Sequence, residues 1–243
     1  MASLGAIFAL MMDAHKRSQR CSVRVRSHYD REYLREFRRA GGERELAKPE
    51  ASPSDPNKLG AALAGSSTAH VSDIRVLVDS GDRWRVETRA VDGSLRSVEG
   101  CDGTRRWVLQ GGVIQESYES VGGERRRLQV EDVWAANRAR VAREVLDPAL
   151  VLPAIDITSV SETESPFGSA WELTCAPRST DIVESAMVSP GATTTYLNVL
   201  TDSGCLVSAR NVDEAGSTLV AHEVIELDLS PQFDPSIFAP SGS

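Results

Sequence analysis

Between residues 72 and 131 the sequence repeats one device: a short run of alternating apolar and polar residues, then a turn rich in glycine. The runs are Ile74–Asp79, Trp84–Val91, Leu95–Gly100, Arg105–Gln110, Val113–Tyr118 and Arg126–Glu131. The turns between them are Ser80-Gly81-Asp82, Asp92-Gly93, Asp102-Gly103, Gly111-Gly112 and Gly122-Gly123. Asp-Gly and Gly-Gly supply the positive φ that tight hairpin turns demand. Their recurrence every 8 to 12 residues or so is the spacing of up-and-down antiparallel strands. A parallel α/β sheet is excluded, because each of its strands needs a crossover of about a dozen residues.

The alternation also predicts faces. Trp84, Val86, Thr88 and Ala90 fall on one side of their strand, with Arg83, Arg85, Glu87 and Arg89 on the other. Trp107 and Leu109 repeat the pattern against Arg106 and Gln110 and are expected on the same dry face as Trp84. A sheet with one apolar face must curl over helices or over a ligand.

The flanking segments supply such a cover. An N-terminal helix is expected from about Ala6 to Arg20, opened by the apolar run Leu4–Met12, and Ser22–Tyr29 then alternates as a half-buried strand. Arg31–Arg39 fits either a helix or a return strand. From Gly41 to His70 the composition turns to Gly, Pro, Ser, Ala and charge, the signature of a mobile loop. Glu131–Leu146 reads as a second helix, with Trp134, Val141 and Val145 on one face and acids in its first turn. Asp147-Pro148 reads as an N-cap and first helical residue opening the apolar segment Ala149–Leu152. Further strands follow at Ile155–Ser161, Ala170–Cys175, Thr194–Leu200, Cys205–Val212 and Leu219–Asp228.

Composition narrows the function. The 243 residues are 41% hydrophobic and 26% charged, which suits a folded protein of one domain. A net charge of −8 argues against a general nucleic-acid binder. The charge is uneven: residues 1–48 hold 11 Lys/Arg against 6 Asp/Glu, and residues 145–243 hold 2 against 14. Complementary faces of one fold, or a basic N-terminal docking surface for a protein partner, both follow from that asymmetry. Leu4–Met12 is preceded by no Lys or Arg and is too short to span a bilayer, so neither a signal peptide nor a transmembrane segment is read, and a cytoplasmic location is expected.

Catalytic and metal motifs are absent from the sequence. No G-x-S-x-G occurs, and the four cysteines form no C-x-x-C pair; they are free thiols, or two disulfides if the chain is exported. His222-Glu223 opens like H-E-x-x-H, but Glu226 stands where the second histidine belongs, on a strand-like segment. The Gly-Gly pairs sit in hairpins, not between a strand and a helix, so no nucleotide cradle is indicated. Carboxylate pairs such as Glu162/Glu164 and Asp213/Glu214 read as solvated surface. No cofactor is implied.

One order of features is suggestive: Asp102-Gly103 with Trp107, Asp147-Pro148 with Val151-Leu152, Trp171, Thr201-Asp202-Ser203-Gly204-Cys205-Leu206-Val207, and the closing Phe233-Asp234-Pro235-Ser236-Ile237-Phe238. Over about residues 6–240 this resembles the lipoprotein-carrier superfamily, which includes LolA-like carriers, LppX/LprG-like lipoproteins and the N-terminal domain of RseB-like regulators. The resemblance implies an α+β, mainly β fold: an unclosed, curved antiparallel sheet, a half-barrel of about 10–11 strands, wrapped over α-helices. It further implies non-enzymatic binding of a hydrophobic ligand, a lipid or acyl chain, between sheet and helices. The candidate cavity residues are Trp84, Trp107 and Leu109 on the sheet and Trp134, Val151 and Leu152 on a helical lid. A regulatory or scaffold module on the same fold is the alternative. The chain departs from the carriers in lacking a recognisable signal peptide or lipobox and in its long 41–70 loop.

Overall fold

The computed structural model describes residues 3–33, 35, 70–80, 82–90, 92–110, 112–117, 120–121, 124–125, 139–178 and 185–240. Helix α1 (Leu4–Asp13) leads through a 3-10 turn, Ala14–Arg17, into β1 (Cys21–Tyr29). The helix is shorter than the expected Ala6–Arg20. Past Asp13 the backbone tightens, the Ser18 hydroxyl donates to the His15 carbonyl, and Arg17 turns to donate to the carbonyls of Asp202 and Ser203, each at 2.9 Å. After β1, residues 31–33 are helical and Asp30 accepts a capping hydrogen bond from the Tyr33 N–H, which resolves the ambiguity there toward helix. The expected loop at 41–69 lies outside the described residues.

The meander is as the turns dictate: β2 (His70–Ser80), β3 (Arg83–Arg89), β4 (Leu95–Asp102), β5 (Arg106–Gln110) and β6 (Val113–Ser117). A separate two-stranded ribbon, β7 (Ser120–Val121) with β8 (Glu124–Arg125), follows. The expected strand at 126–131 lies outside the described residues. Helix α2 (Arg140–Leu146) gives way to short 3-10 turns at Pro148–Leu150 and Leu152–Ala154. Asp147 does not cap: it makes no side-chain capping bond, and its Oδ1 is buried without a partner. Five long strands complete the chain: β9 (Ile155–Ser165), β10 (Gly168–Pro177), β11 (Thr194–Leu200), β12 (Leu206–Val212) and β13 (Thr218–Asp228).

Eleven of these strands form one antiparallel sheet in the order β6-β5-β4-β3-β2-β1-β13-β12-β11-β10-β9. The order closes by joining β1 to β13, so two meanders share the first and last strands and leave β6 and β9 as described edges. A sheet this wide curls. One apolar cluster therefore joins Val23, Val76 and Trp84 from one half to Leu173 and Leu197 from the other. Over this concave face lie Ile7 and Met11 of α1, Val141, Val145 and Leu146 of α2, and Val151. The result is an α+β, mainly β half-barrel over helices.

Cross-strand register corrects the expected faces. Trp84 pairs with Cys101 and Cys101 with Arg106, so these share the concave face; Arg85 pairs with Gly100 and Gly100 with Trp107, so Trp107 stands on the convex face. Leu109, paired with Val98, stands there too. The "wet" face of the meander is thus partly apolar. It is covered by the C-terminal segment, whose 3-10 turn Pro235–Phe238 packs on β3 and β4 with Phe238 fully buried.

Helix α1 rests on the turn between β11 and β12. There Gly204 adopts φ +75°, and a Cβ on it would come within 2.4 Å of the Leu10 carbonyl oxygen. Gly216 has a similar φ of +81° with open space around it. Gly216→Ala should therefore cost only the backbone strain, about 1 kcal/mol. Gly204→Ala should lower unfolding free energy by about 2 to 4 kcal/mol, since strain and collision add. Urea denaturation of the two variants checks this, and equal losses would mean that α1 does not press on that turn.

Candidate functional site

Of the six residues predicted to line a cavity, the five that are described do not share one face of the sheet. Trp84 and Val151 are buried in the concave layer, with Leu152 packed against it. Trp107 and Leu109 are on the opposite face, and Trp134 lies outside the described residues. The layer itself is occupied by side chains, among them Ile7, Met11, Trp84, Leu146, Leu173 and Met187. One polar atom in it stands out. Trp84 is 1% exposed, and its indole Nε1 has no hydrogen-bond partner among the described residues. A buried donor in that state costs about 1–3 kcal/mol until an acceptor reaches it.

Trp107 is held quite differently. Gly100 lets its indole lie against the strand, because a Cβ there would come within 2.7 Å of the ring. The Arg85 guanidinium lies over the ring at 5.7 Å and donates to the Ile237 carbonyl, while the indole N–H donates to the Phe238 carbonyl at 3.0 Å. Trp107 thus anchors the C-terminal segment.

Beside that segment runs a groove of about 550 Å³, walled by Ser22, Arg75 and Leu77 of the sheet and by Phe233 and Ile237 of the segment. Phe167, from the turn between β9 and β10, and Leu227 complete it, and both also pack against the concave apolar layer. The groove is therefore continuous with the rim of the core. Its polar side carries Arg75 in an ion pair with Glu226 at 3.2 Å, and Glu226 also binds Arg24 at 3.1 Å.

Two features that sequence reading missed close the other end of the concave face. The Glu144 carboxylate, 2% exposed on α2, accepts from the Ser185 hydroxyl at 2.6 Å and from the N–H groups of Ala186 and Met187 at 2.9 and 3.0 Å. Arg140 one turn earlier is its ion-pair partner. From the sheet, Asn211 accepts from the Ser189 N–H and the Thr195 hydroxyl and donates to the Met187 carbonyl at 3.0 Å. Residues 185–189 are thus clasped from both sides. The signals were an acid within the apolar stripe Val141–Val145 and an amide at an inward-facing strand position.

Next to the clasp, His222 is 3% exposed. Its Nδ1 lies 2.8 Å from the Ser27 hydroxyl, and the Tyr29 ring meets its edge. Burial pushes its pKa down to about 4, opposed by the Ala186 backbone and assisted by His28. The cysteines are free and buried, and burial raises Cys21 and Cys175 to about 12 and Cys205 to about 11, so these three thiols stay protonated. No group of three or more His, Cys, Asp or Glu among the described residues is arranged to hold a metal ion.

The basic N-terminal stretch is engaged internally. Arg24 and Arg26 both bind the buried Asp73 carboxylate, Arg20 binds Asp79 at 2.9 Å, and Arg24 reaches Glu226 near the C-terminus. Complementary faces of one fold account for the charge asymmetry at these positions.

An open antiparallel sheet curled over helices, with its tail folded back on the convex face, is the half-barrel architecture that the sequence resemblance implied. The sequence matches no protein-family model and no curated protein. Among solved structures, an uncharacterised conserved protein from Thermus thermophilus is similar at 11% identity and TM-score 0.41, over 97% of this chain and 93% of that one. MucB is similar at 14% identity and TM-score 0.47 over 99% of this chain, which spans 64% of the MucB chain. A LolA superfamily protein from Nitrosomonas europaea is similar at 8% identity and TM-score 0.30 over 98% of each chain.

His222 sets a pH dependence. Its pKa is about 4 folded and 6.5 unfolded, so between these values the unfolded chain binds more protons and stability rises with pH. The contribution is complete above pH 6.5 and is lost as pH falls toward 4, roughly 3 kcal/mol in all. Denaturant titrations at stepped pH should show this slope, and His222→Gln should flatten it; an unchanged slope in the variant would assign the effect elsewhere. Glu144→Ala should cost about 3 kcal/mol by removing the acceptor shared by the Ser185 hydroxyl and the Ala186 and Met187 N–H groups, with accelerated amide exchange at Ala186 as its local signature.

Proposed function

We propose that the protein is a non-enzymatic binding protein for a hydrophobic ligand, a lipid or acyl chain. The observation that carries this reading is the groove of about 550 Å³, whose walls Phe167 and Leu227 belong also to the apolar layer between sheet and helices. That volume lies within the range of about 300–1,000 Å³ usual for ligand sites. Its lining is about half polar, with Arg75, Glu226, Asp228 and Gln232 beside the apolar Phe167 and Leu227.

The concave layer extends the site when its cover moves. Met11 and Met187 repack at little cost, and the unpaired Trp84 N–H offers a hydrogen bond to an ester or carboxyl oxygen that enters. The driving force is burial, about 25 cal/mol per Å² of apolar surface removed from water. The mechanism needs no reacting group, only a dry wall and a route to it along Phe167 and Leu227.

Native mass spectrometry of gently purified protein should show retained lipid, and a fluorescent fatty-acid probe should bind. Phe167→Ala, at a half-buried turn position, should weaken the probe roughly tenfold by removing about 1.4 kcal/mol of contact. Gln232 lines the groove at an exposed position, and Gln232→Trp should block it. A chain of apo mass that binds no probe would sink the reading, and unchanged binding in both variants would move the site away from the groove.

A further inference from the structure

Helix α1 is apolar all round, yet only part of it is inside the protein. From Leu4 to Met12 it has no polar side chain, and Ile7 and Met11 alone are buried. A helix packed on a sheet ordinarily turns a polar face to water. Here Leu4 is 40% exposed and Met12 53% exposed, with Ala9 exposed and Phe8 half-exposed. Leu4, Phe8 and Met12 follow one another at four-residue spacing and so form one stripe along the helix. Packing on the core gives no reason for it.

The same stripe continues into charge. Lys16 is the next residue at that spacing, and the 3-10 turn prolonging the helix exposes His15, Lys16 and Arg17. Arg17 is bonded to backbone carbonyls, and among the described residues no carboxylate pairs with it. Asp13 is the one acid of the helix, and Lys16 is paired to it. An apolar stripe ending in a basic turn is the arrangement of a helix lying in a membrane interface, its side chains among the acyl chains and its cations at the headgroups. At ten residues it is too short to cross, and among the described residues no helix is long and apolar enough to do so.

We propose that the outward face of α1 docks on the surface of a phospholipid bilayer containing anionic lipid. The chain's net charge of −8 does not oppose this, because the negative balance arises in residues 145–243, with 2 Lys/Arg against 14 Asp/Glu, whereas α1 and its extension present a local basic end. Docking sets α1 at the bilayer surface while its other face covers the concave layer. The surface stands on exposure and charge alone and does not depend on the ligand reading above.

Vesicle flotation of the full chain tests it, using phosphatidylcholine vesicles with and without phosphatidylglycerol. The wild-type chain should float with the mixed vesicles and less with phosphatidylcholine alone. Leu4→Glu/Met12→Glu, altering two exposed positions, should lose flotation by about tenfold or more while keeping the wild-type circular dichroism and melting temperature. Lys16→Gln should remove the preference for phosphatidylglycerol. Failure of the wild-type chain to float, or equal flotation of the double variant, would overturn the proposal. So would a concentration-dependent dimer that the double variant abolishes, since the stripe would then cover a second copy of the chain. Lipid-free protein serves for these measurements, so a failed ligand search leaves them unaffected.

Discussion

The structure depends on burying one continuous apolar face of an open sheet. Eleven strands, whose edges β6 and β9 do not pair with each other, leave a concavity that water would otherwise fill. Among the described residues the cover consists of a ten-residue helix, a seven-residue helix, short 3-10 turns and the segment 185–189. Each piece is too small to be stable alone, so each is fastened to the sheet by specific contacts. Arg17 and the close approach of Gly204 to Leu10 hold α1, and Glu144 and Asn211 hold the segment.

Those fastenings are polar groups placed where polarity is costly, and they persist because each is satisfied. Glu144 takes its acceptor bonds from a hydroxyl and two backbone N–H groups, replacing water with protein donors. Asn211 does for the segment what a neighbouring strand would do. His222 is kept neutral beside them, which ties this end of the cover to pH. At the opposite end the Trp84 indole N–H is unpaired among the described residues, as is the Nε2 of His222.

The convex face has its own architecture. Where β3, β4 and β5 expose Val98 and Trp107, the returning C-terminal segment supplies Phe238 and accepts bonds from Trp107 and Arg85. Where no segment covers it, alternating charges on β1, β2 and β13 pair across the strands, with Arg24 bridging Asp73 and Glu226. The groove lies at the boundary between these two regimes, which is why its walls are apolar on one side and ionic on the other.

Local chemistry was enough to read the meander, because Asp-Gly and Gly-Gly turns act over a few residues, and every strand from β2 to β6 appears where alternation placed it. The positions of α1, α2 and the later strands were legible for the same reason. The relative faces of Trp84 and Trp107 were not. Alternation fixes which residues share a face within one strand, but the phase between strands is set by hairpin register, and pairing Gly100 with Trp107 moved that indole to the other side of the sheet. Nor could the sequence show that Glu144, Asn211 and residues 185–189 meet, since the carboxylate is 43 residues from the Met187 N–H it binds. The sequence by itself determined that a curved sheet with an apolar face would form and need covering. The tertiary structure decided what covers it, because only contacts distant along the chain choose which side chains fill a concavity and which are left facing out of it.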